Sequence, residues 1–304
     1  MDAHVIDDLF RELTDAAGIG ALTREPLRVW TLSGVERLHR DDGARTVIFK
    51  YAVAPFTGED RALVLAAEYE VPVPQLHAST VREGTLGMIM EDLGSPVRES
   101  TVHDGTSAAV RLHAAGVVPG LDTLDEQSLA ALPGQALQRL TTLQDAGRWS
   151  GVQDIIDILV ALSRCAPARA AGAQLAPFGF CHSEFHPTSL HIGDNGWRLL
   201  DFARAFNGPG LLDLASWHGT IDDPDTSRLR ELLEIYEANG GHQQVLTLRG
   251  GLPAERWALG WHRVWAVAWY LDQSVSWIND PATDPVYVTA VRRHLHEAAA
   301  FLQP

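Results

Sequence analysis

The pattern of apolar residues changes once along the chain, near residue 94, and this change limits the folds that the chain can adopt. Residues 27–91 contain strand-like runs and one helical run. The Asp-Gly pair in "DDGA", residues 41–44, is a strong hairpin signal, so the strands beside it are expected to be antiparallel. In chain order we predict three strands, one helix and two strands: "LRVWTL", "VERLHR", "RTVIFKYAV", "EDRALVLAAEYE", "QLHASTV" and "LGMIME".

The second part of the chain is predicted to be mainly helical. From about residue 104 alanine and leucine recur at helical spacing, as in "SAAVRLHAAG" and "VQDIIDILVALSRC". One predicted hairpin interrupts the helices, formed by "SLHI", the turn "GDNG" and "WRLLDFA". We therefore predict an α+β fold with two lobes. A small antiparallel β-rich N-lobe with the leading helix "VIDDLFRELTDAAG" takes residues 1–93, and a large helical C-lobe takes residues 94–304.

Composition and charge exclude several classes of partner. The formal net charge is −15 at pH 7, which argues against nucleic acid and favours a cationic or neutral partner, although acidity also serves solubility. No apolar run reaches the roughly 18 residues of a membrane helix. The first residues, "MDAHVIDDLFREL", lack the basic and apolar regions of a signal peptide, and there are only two cysteines. We expect a soluble cytoplasmic protein.

A single lysine stands out among the basic residues. Of 24 lysines and arginines, only Lys50 is a lysine, and it lies in the third predicted strand. An ammonium is a compact point charge whereas a guanidinium is a planar fork, so the two are not interchangeable at a binding site. The alternative is a surface lysine that pairs with an acid by chance.

Three histidines and a glutamate are concentrated in "CHSEFHPTSLHI", residues 181–192. His182 and His186 are four residues apart, but a two-histidine zinc site uses this spacing on a helix, and Pro187 argues against a helix here. A zinc deaminase would also need a later Pro-Cys-x-x-Cys, which the chain lacks. We therefore interpret the histidines as loop-stabilising residues instead of zinc ligands.

This stretch and its surroundings resemble the aminoglycoside phosphotransferase family over nearly the whole chain. In that family the catalytic loop reads His-Gly-Asp, then His-Pro and Asn, and the following hairpin ends in Asp-Phe or Asp-Trp. The matching positions here are His182-Ser183-Glu184, His186-Pro187-Thr188-Ser189 and Asp201-Phe202-Ala203. "EDRALVLAAEYEVPVP", "AAVRLHAAG" and "GPGLLDLASW" are similar to three of the family's helices, the last of which braces the catalytic loop through its aspartate, here Asp213. The resemblance implies a bilobal protein-kinase-like fold.

The resemblance also implies an activity, the transfer of the γ-phosphate of ATP or GTP to a hydroxyl group with the help of Mg²⁺. Phosphoryl transfer needs a cation near the phosphates, a carboxylate that orients it and a carboxylate that holds Mg²⁺. Lys50, Glu59 and Asp201 fit these roles. The other expected site residues are His182, which orients the loop, Glu184 as the base, Ser189 as a second Mg²⁺ ligand, and Gly34, Glu91 and Leu93 beside the nucleotide.

Two departures from the family pattern leave alternatives open. Glu184 stands where the family has aspartate, and Ser189 stands where it has asparagine. Both retain oxygen ligands, which favours an active phosphotransferase over a pseudokinase that binds a partner enzyme. The expected acceptor is an aminoglycoside or another antibiotic, and the alternative is a Ser or Thr of a peptide in natural-product maturation.

A C-terminal tryptophan series and an acidic loop are further candidates for acceptor binding. Trp257, Trp261, Trp265 and Trp269 are four residues apart along one predicted helix face. Core packing is the simpler interpretation, and the alternative is that one end of the series lines the acceptor site together with Tyr270 and Asp272. Asp222, Asp223 and Asp225 would attract a polyamine, but a solvated acidic loop explains them equally well.

Overall fold

The computed structural model describes residues 1–20, 22–40, 43, 46–219 and 221–304. Over these residues the helices are α1 (Ala3–Ala16), α2 (Glu59–Glu68), α3 (Val102–His113), α4 (Glu126–Asp145), α5 (Gln153–Ala170), α6 (Gly210–Ser216), α7 (Thr226–Ala238), α8 (Ala254–Asp272) and α9 (Asp284–Leu302). The strands are β1 (Leu22–Val29), β2 (Ser33–Arg40), β3 (Val47–Val53), β4 (Leu76–Arg82), β5 (Thr85–Glu91), β6 (Phe178–Cys181), β7 (Leu190–Gly193), β8 (Gly196–Leu199) and β9 (Phe206–Pro209). Among the described residues, no helix is long and apolar enough to span a membrane.

The chain packs as two compact units. Unit 1 comprises Met1–Thr101 and Pro187–Ala205, and unit 2 comprises Val102–His186 and Phe206–Pro304. The α+β fold class is confirmed. The structural division differs from a single boundary at residue 93, because the β7–β8 hairpin packs with unit 1. The backbone N–H of Val97 donates to Ile192 O at 2.8 Å, and that of Leu199 donates to Pro72 O at 2.9 Å.

Unit 1 contains the predicted order of three strands, a helix and two strands. The five strands form an antiparallel sheet in the order β1-β2-β3-β5-β4. Most of the predicted turn "DDGA", residues 41, 42 and 44, lies outside the described residues. β1 begins five residues before its predicted start and ends at Val29. The strand contains Pro26, which is tolerated because β1 lies at the edge of the sheet and has a bulge at this point.

Helix α1 covers one face of this sheet. Its apolar stripe packs on alternate residues of β2, β3 and β5 in a buried cluster of Val5, Leu9, Leu13, Leu38, Val47, Phe49, Tyr51 and Ile89. A Cβ at Gly87 would lie 2.8 Å from Leu13 Cδ1, so glycine permits this close packing. Arg24 reinforces the contact, since its guanidinium donates to Asp7 and to Glu36 at 2.6 Å each. Lys50 follows Phe49 and precedes Tyr51, so its side chain extends from the opposite face.

Unit 2 is mainly helical, as predicted, but it contains a ribbon that the sequence patterns did not indicate. β6 pairs with β9, and each strand is only four residues long. Glycines set the packing here, because a Cβ at Gly179 would lie 2.2 Å from the backbone of Gly116. Such a short, glycine-containing strand lacks the alternation by which strands are recognised in a sequence.

The tryptophan series of α8 divides into two halves. Trp257 and Trp261 are fully buried, and both indole N–H groups donate to Arg169 O, at 2.7 and 3.1 Å. Trp265 and Trp269 are half-buried, and Trp265 stacks on Phe206 with ring centroids 4.9 Å apart. Core packing therefore explains the first half of the series.

Two neutral histidines are buried where α8 packs against α9. Burial first, and the charge of Arg263 second, lower the pKa of His262 to about 3. The pKa of His294 is lowered to about 3 by burial and by Arg263 and Arg293. The carboxylate of Glu297 lies 2.6 Å from Arg263 Nε and 3.5 Å from His294 Nδ1.

We predict that this pair makes the protein sensitive to acid. Below pH 6.5 these two histidines become protonated in the unfolded chain. In the folded chain they stay neutral until the pH falls to about 3. Stability should therefore fall by about 4 kcal/mol between pH 7 and pH 5, as measured by urea unfolding. His294→Phe, which keeps the ring that stacks on Tyr270, should halve the loss. An unchanged pH dependence in this variant would contradict the assignment.

Candidate active site

Lys50 joins two carboxylates in unit 1. Its Nζ lies 2.7 Å from Glu59 Oε1 and 2.5 Å from Asp201 Oδ1. The Lys50 side chain is 11% exposed and Glu59 is 2% exposed, whereas Asp201 is 44% exposed. The alternative of a surface lysine is therefore excluded. Lys50, Glu59 and Asp201, which were predicted to act at the phosphates of a nucleotide, are therefore in contact in the structure.

Local structure explains how these three side chains meet. Lys50 lies in the middle of β3, paired with Val35 on one side and Met88 on the other. Glu59 is the first residue of α2, and Asp201 follows the end of β8. Asp201 adopts a positive φ of 62°, which is uncommon for a residue other than glycine. The fold therefore holds Asp201 in an unfavourable backbone conformation.

The charge state of Lys50 follows from this geometry. Burial alone would lower its pKa, but the charges of Glu59 and Asp201 outweigh burial and leave the pKa above its ordinary value. The ammonium therefore stays protonated at neutral pH, between two acids. Such a group is a fixed positive charge that can hold an anion in place of one carboxylate.

Ser189 lies beside Asp201 in the same hairpin. The backbone N–H of Leu200, the residue before Asp201, donates to Ser189 O at 2.9 Å. Ser189 is 1% exposed and ends a short 3₁₀ turn at Pro187–Ser189. The backbone of Ser189 thus pairs with the residue before Asp201, and a hydroxyl and a carboxylate are both hard oxygen donors of the kind that Mg²⁺ prefers.

The other predicted catalytic residues lie in unit 2, on the loop after β6. His182 is fully buried and Glu184 is half-buried. The start of the loop is held by Asp213 of α6, whose two carboxylate oxygens accept from the backbone N–H groups of His182 at 2.7 Å and Ser183 at 2.9 Å. The predicted brace is therefore visible as two hydrogen bonds.

Ser183, the second residue of this loop, has a strained backbone and a buried hydroxyl. Its φ is 79°, where glycine is strongly favoured, and the family pattern has glycine here. Ser183 is 8% exposed, and its hydroxyl is buried with no hydrogen-bond partner among the described residues. The sequence showed the replacement, but only the backbone geometry shows its strain.

The remaining predicted nucleotide residues lie in unit 1. A Cβ at Gly34 would be 2.2 Å from Tyr51 Cζ, on the face of the sheet that carries Phe49, so packing explains why this residue is glycine. Glu91 and Leu93 are half-buried at and just after the end of β5. Their roles toward a nucleotide stay predictions.

A polar cluster that the sequence analysis missed holds Asp92, the residue after β5. Asp92 accepts from Arg37 Nε and from Thr46 Oγ1 at 2.6 Å each, and from the backbone N–H of Gly94 at 2.9 Å. Burial would raise the pKa of Asp92, but these hydrogen bonds outweigh it and lower the pKa. Residues 37, 46 and 92 are too far apart in the chain for any local pattern to reveal their pairing.

The zinc and acidic-loop interpretations can be compared with the geometry. His182 and His186 lie on a non-helical loop, which agrees with the rejection of a helical two-histidine site. Asp225 has a structural role, because its Oδ1 accepts from Ser227 N at 2.8 Å and Arg228 N at 3.2 Å and caps α7. This capping role is sufficient to explain Asp225.

Comparison with known proteins identifies the family. The model of the phosphotransferase enzyme family matches residues 36–247, so the chain belongs to this family, and the predicted resemblance is confirmed. No curated protein sequence matches the chain significantly.

Several solved structures have a fold similar to that of this chain. One is a choline/ethanolamine kinase family protein from Mesorhizobium loti, 16% identical over 98% of this chain and 95% of that chain, with a TM-score of 0.66. A putative aminoglycoside phosphotransferase from Ralstonia eutropha JMP134 is 15% identical over 99% and 98% of the two chains, with a TM-score of 0.60. A spectinomycin phosphotransferase in complex with ADP and spectinomycin is 11% identical over 98% of each chain, with a TM-score of 0.61. At these identities the likeness shows the fold, which is kinase-like as predicted.

Breaking the Lys50 cluster should destabilise the protein. Lys50→Met leaves Glu59 as a buried carboxylate without its cation, and we expect a loss of about 3–5 kcal/mol in the free energy of unfolding. Lys50→Met combined with Glu59→Gln should recover part of this loss, because both charges are then removed. Denaturant unfolding of the single and double variants tests this. Equal stability of Lys50→Met and the wild type would show that the buried pair does not form.

Relieving the strain at Ser183 should stabilise the protein. Ser183→Gly removes both the unfavourable φ and the buried hydroxyl, and we expect a gain of about 1 kcal/mol after the backbone entropy of glycine is counted. Ser183→Ala removes the hydroxyl but keeps the strain, so it should fall between glycine and serine. Thermal unfolding of the three proteins gives the order, and a glycine variant less stable than the wild type would contradict the interpretation.

Proposed function

We propose that the protein transfers the γ-phosphate of ATP or GTP to a hydroxyl group of a small cationic molecule, such as an aminoglycoside or another hydroxylated antibiotic. The observation that carries the proposal is the contact of the single lysine with Glu59 and Asp201. A buried ammonium, a carboxylate that fixes it and a half-exposed carboxylate are the groups that phosphoryl transfer from a nucleotide requires.

In this proposal the two carboxylates beside Lys50 have different roles. Glu59 is almost fully buried, so it fixes the ammonium and has little access to a ligand. Asp201 is the exposed partner and is the one that can exchange Lys50 for another cation. When Asp201 binds another cation, Lys50 keeps its contact with Glu59 and can bind the phosphate oxygens of the nucleotide.

The donor set fits a divalent cation of the Mg²⁺ class. Asp201 would hold Mg²⁺, with the hydroxyl of Ser189 as the second protein donor from the neighbouring position of the hairpin. When bound, Mg²⁺ would neutralise charge on the phosphate oxygens and so favour transfer. Because a serine hydroxyl is neutral and shorter than an asparagine side chain, we expect this second ligand to be weak.

Glu184 is proposed as the base that accepts the proton of the acceptor hydroxyl. Its carboxylate is on the loop whose backbone Asp213 holds, so the start of that loop is fixed while the side chain is half-buried. Glutamate and aspartate are equivalent in chemistry and differ by one methylene, about 1.5 Å in reach. Ser183, the residue before it, has a positive φ at the position where the family has glycine, which supports a family-like backbone at this point of the loop.

The acceptor class is supported by charge. The net charge of −15 favours a cationic acceptor over an anionic one. Among proteins of similar fold, one is a spectinomycin phosphotransferase and another an amicoumacin kinase in complex with AMP-PNP, Ca²⁺ and Ami. These relatives make antibiotics the first acceptors to test, and Ser/Thr peptides the second.

Phosphate transfer to a panel of acceptors tests the proposal. With Mg²⁺ and ATP or GTP, an aminoglycoside or other hydroxylated antibiotic should gain one phosphate, detected by mass spectrometry. Asp201→Asn should abolish transfer, whereas Asp194→Asn, on the exposed hairpin turn, should not. Glu184→Gln should lower kcat by about 10²–10⁴-fold, as for other general bases. Nucleotide binding without transfer to any antibiotic or peptide would contradict the proposal and favour a binding module.

A further inference from the structure

The face of the N-terminal sheet opposite α1 carries Lys50 near its middle and an ion pair at one end. Directly paired residues of an antiparallel sheet share a face, and so do residues two apart along one strand. Arg37 pairs with Ile48, which lies two residues before Lys50, so Arg37 extends from the same face as Lys50. Its guanidinium donates to Asp92, the residue after β5, from Nε at 2.6 Å and from Nη2 at 3.4 Å. The proposed phosphate site and this ion pair therefore lie on one face of the sheet.

The separation between Lys50 and the end of β5 is that of a nucleotide. Lys50 pairs with Met88, and β5 ends three residues later at Glu91. Three residues of a strand cover about 10 Å, which is roughly the span from the β-phosphate of a nucleoside triphosphate to its base. In the opposite direction β3 leads into the segment that brings Glu59 to Lys50. A nucleotide with its phosphates at Lys50 therefore places its base beside residues 91–93.

The backbone after β5 offers a polar group that the sheet does not use. Glu91 is the last residue of β5 that pairs with β3, and its N–H donates to Gln75 O at 2.8 Å. Among the described residues, the backbone N–H of Leu93 has no hydrogen-bond partner. The edges of adenine and guanine both carry hydrogen-bond acceptors, so this N–H can bind either base.

The carboxylate of Asp92 fixes the backbone around Leu93. The Asp92 side chain is 5% exposed, and it joins three segments of the chain. It accepts from Arg37 of β2, from the hydroxyl of Thr46 just before β3 at 2.6 Å, and from the backbone N–H of Gly94 at 2.9 Å. Gly94 has a φ of 70°, which favours glycine. Leu93 therefore lies inside a turn that is tied to two strands.

Asp92 supports this turn and is not itself a contact for the base. Its Oδ2 accepts from Arg37 Nε and from Thr46 Oγ1, and its Oδ1 accepts from Gly94 N and from Arg37 Nη2. A carboxylate offers about four acceptor positions, so these four bonds use its capacity. No acceptor position is left for the donor groups of a guanine base.

We infer that Arg37, Thr46 and Asp92 are positioning residues for nucleotide binding, because they hold the backbone of residues 92–94 in the conformation that receives the base. The inference rests on the proposed function in that it places the phosphates at Lys50. A turn that is already ordered binds a base without the entropy cost of ordering it. The three side chains therefore raise the affinity for the nucleoside part of the ligand and leave the phosphate contacts unchanged.

Calorimetric titration with MgATP and MgGTP tests the inference. In Arg37→Gln and in Asp92→Asn, the Kd of the nucleotide that the wild type binds should rise about tenfold, because about one residue must then be ordered on binding. The ratio of the Kd without Mg²⁺ to the Kd with Mg²⁺ should keep its wild-type value, because the residues at the phosphates are unaltered. Thr46→Val removes one hydrogen bond with little disturbance of the fold and should raise the Kd about threefold.

Arg24→Gln is the matched control. Arg24 donates to Glu36 from Nε and Nη2, as Arg37 does to Asp92, but on the face of the sheet that α1 covers. This variant should lower the free energy of unfolding and leave both the Kd and the Mg²⁺ ratio unchanged.

The outcomes separate the inference from the proposed function. An unchanged Kd in all three variants, an equal rise in Arg24→Gln, or an altered Mg²⁺ ratio would each overturn the inference, even if the wild type transfers phosphate to an acceptor. The expected rise in Kd without transfer to any acceptor would support the inference and contradict the proposed function. Absence of nucleotide binding to the wild type would overturn both.

Discussion

The buried ammonium of Lys50 is the interaction on which the candidate site depends. It brings Glu59, at the start of α2, and Asp201, after β8, to the middle of the sheet, and these two acids are 142 residues apart in the chain. Without the lysine, the two carboxylates would repel each other and Glu59 would be a buried carboxylate without its cation. Asp201 is the exposed member of this cluster, so in the proposed function it is the carboxylate that exchanges Lys50 for another cation.

Two residues at the proposed site adopt backbone conformations that glycine would favour. Ser183 precedes the proposed base, and Asp201 is the proposed metal ligand. Strain of this kind persists where the surrounding structure over-determines the backbone, as Asp213 does for Ser183 through two hydrogen bonds. The replacement of glycine by serine and of aspartate by glutamate at adjacent positions therefore falls on a loop that is firmly held at its start. This is the physical basis for interpreting the altered loop as retained in function.

The sequence predicted those parts of the fold and site that leave local patterns. Lys50 was distinguished by residue type, Glu59 by its place at the start of a helix, and the hairpin before Asp201 by its turn. The interactions that connect distant segments left no such signal. Arg37 and Asp92 are 55 residues apart, β6 and β9 pair across residues 182–205, and Asp213, whose carboxylate holds Ser183, lies 30 residues later. β1 was predicted to start at Leu27, whereas the strand begins at Leu22 and contains Pro26, which an edge strand tolerates.

Calorimetric titration of the protein with ATP and GTP, with and without Mg²⁺, tests the central claim most directly. If Lys50 and Asp201 share one triphosphate, the wild type should bind one equivalent of nucleotide more tightly with Mg²⁺ than without it, and Asp201→Asn should remove this difference. Binding of the same strength with and without Mg²⁺, or no binding of either nucleotide, would contradict the account.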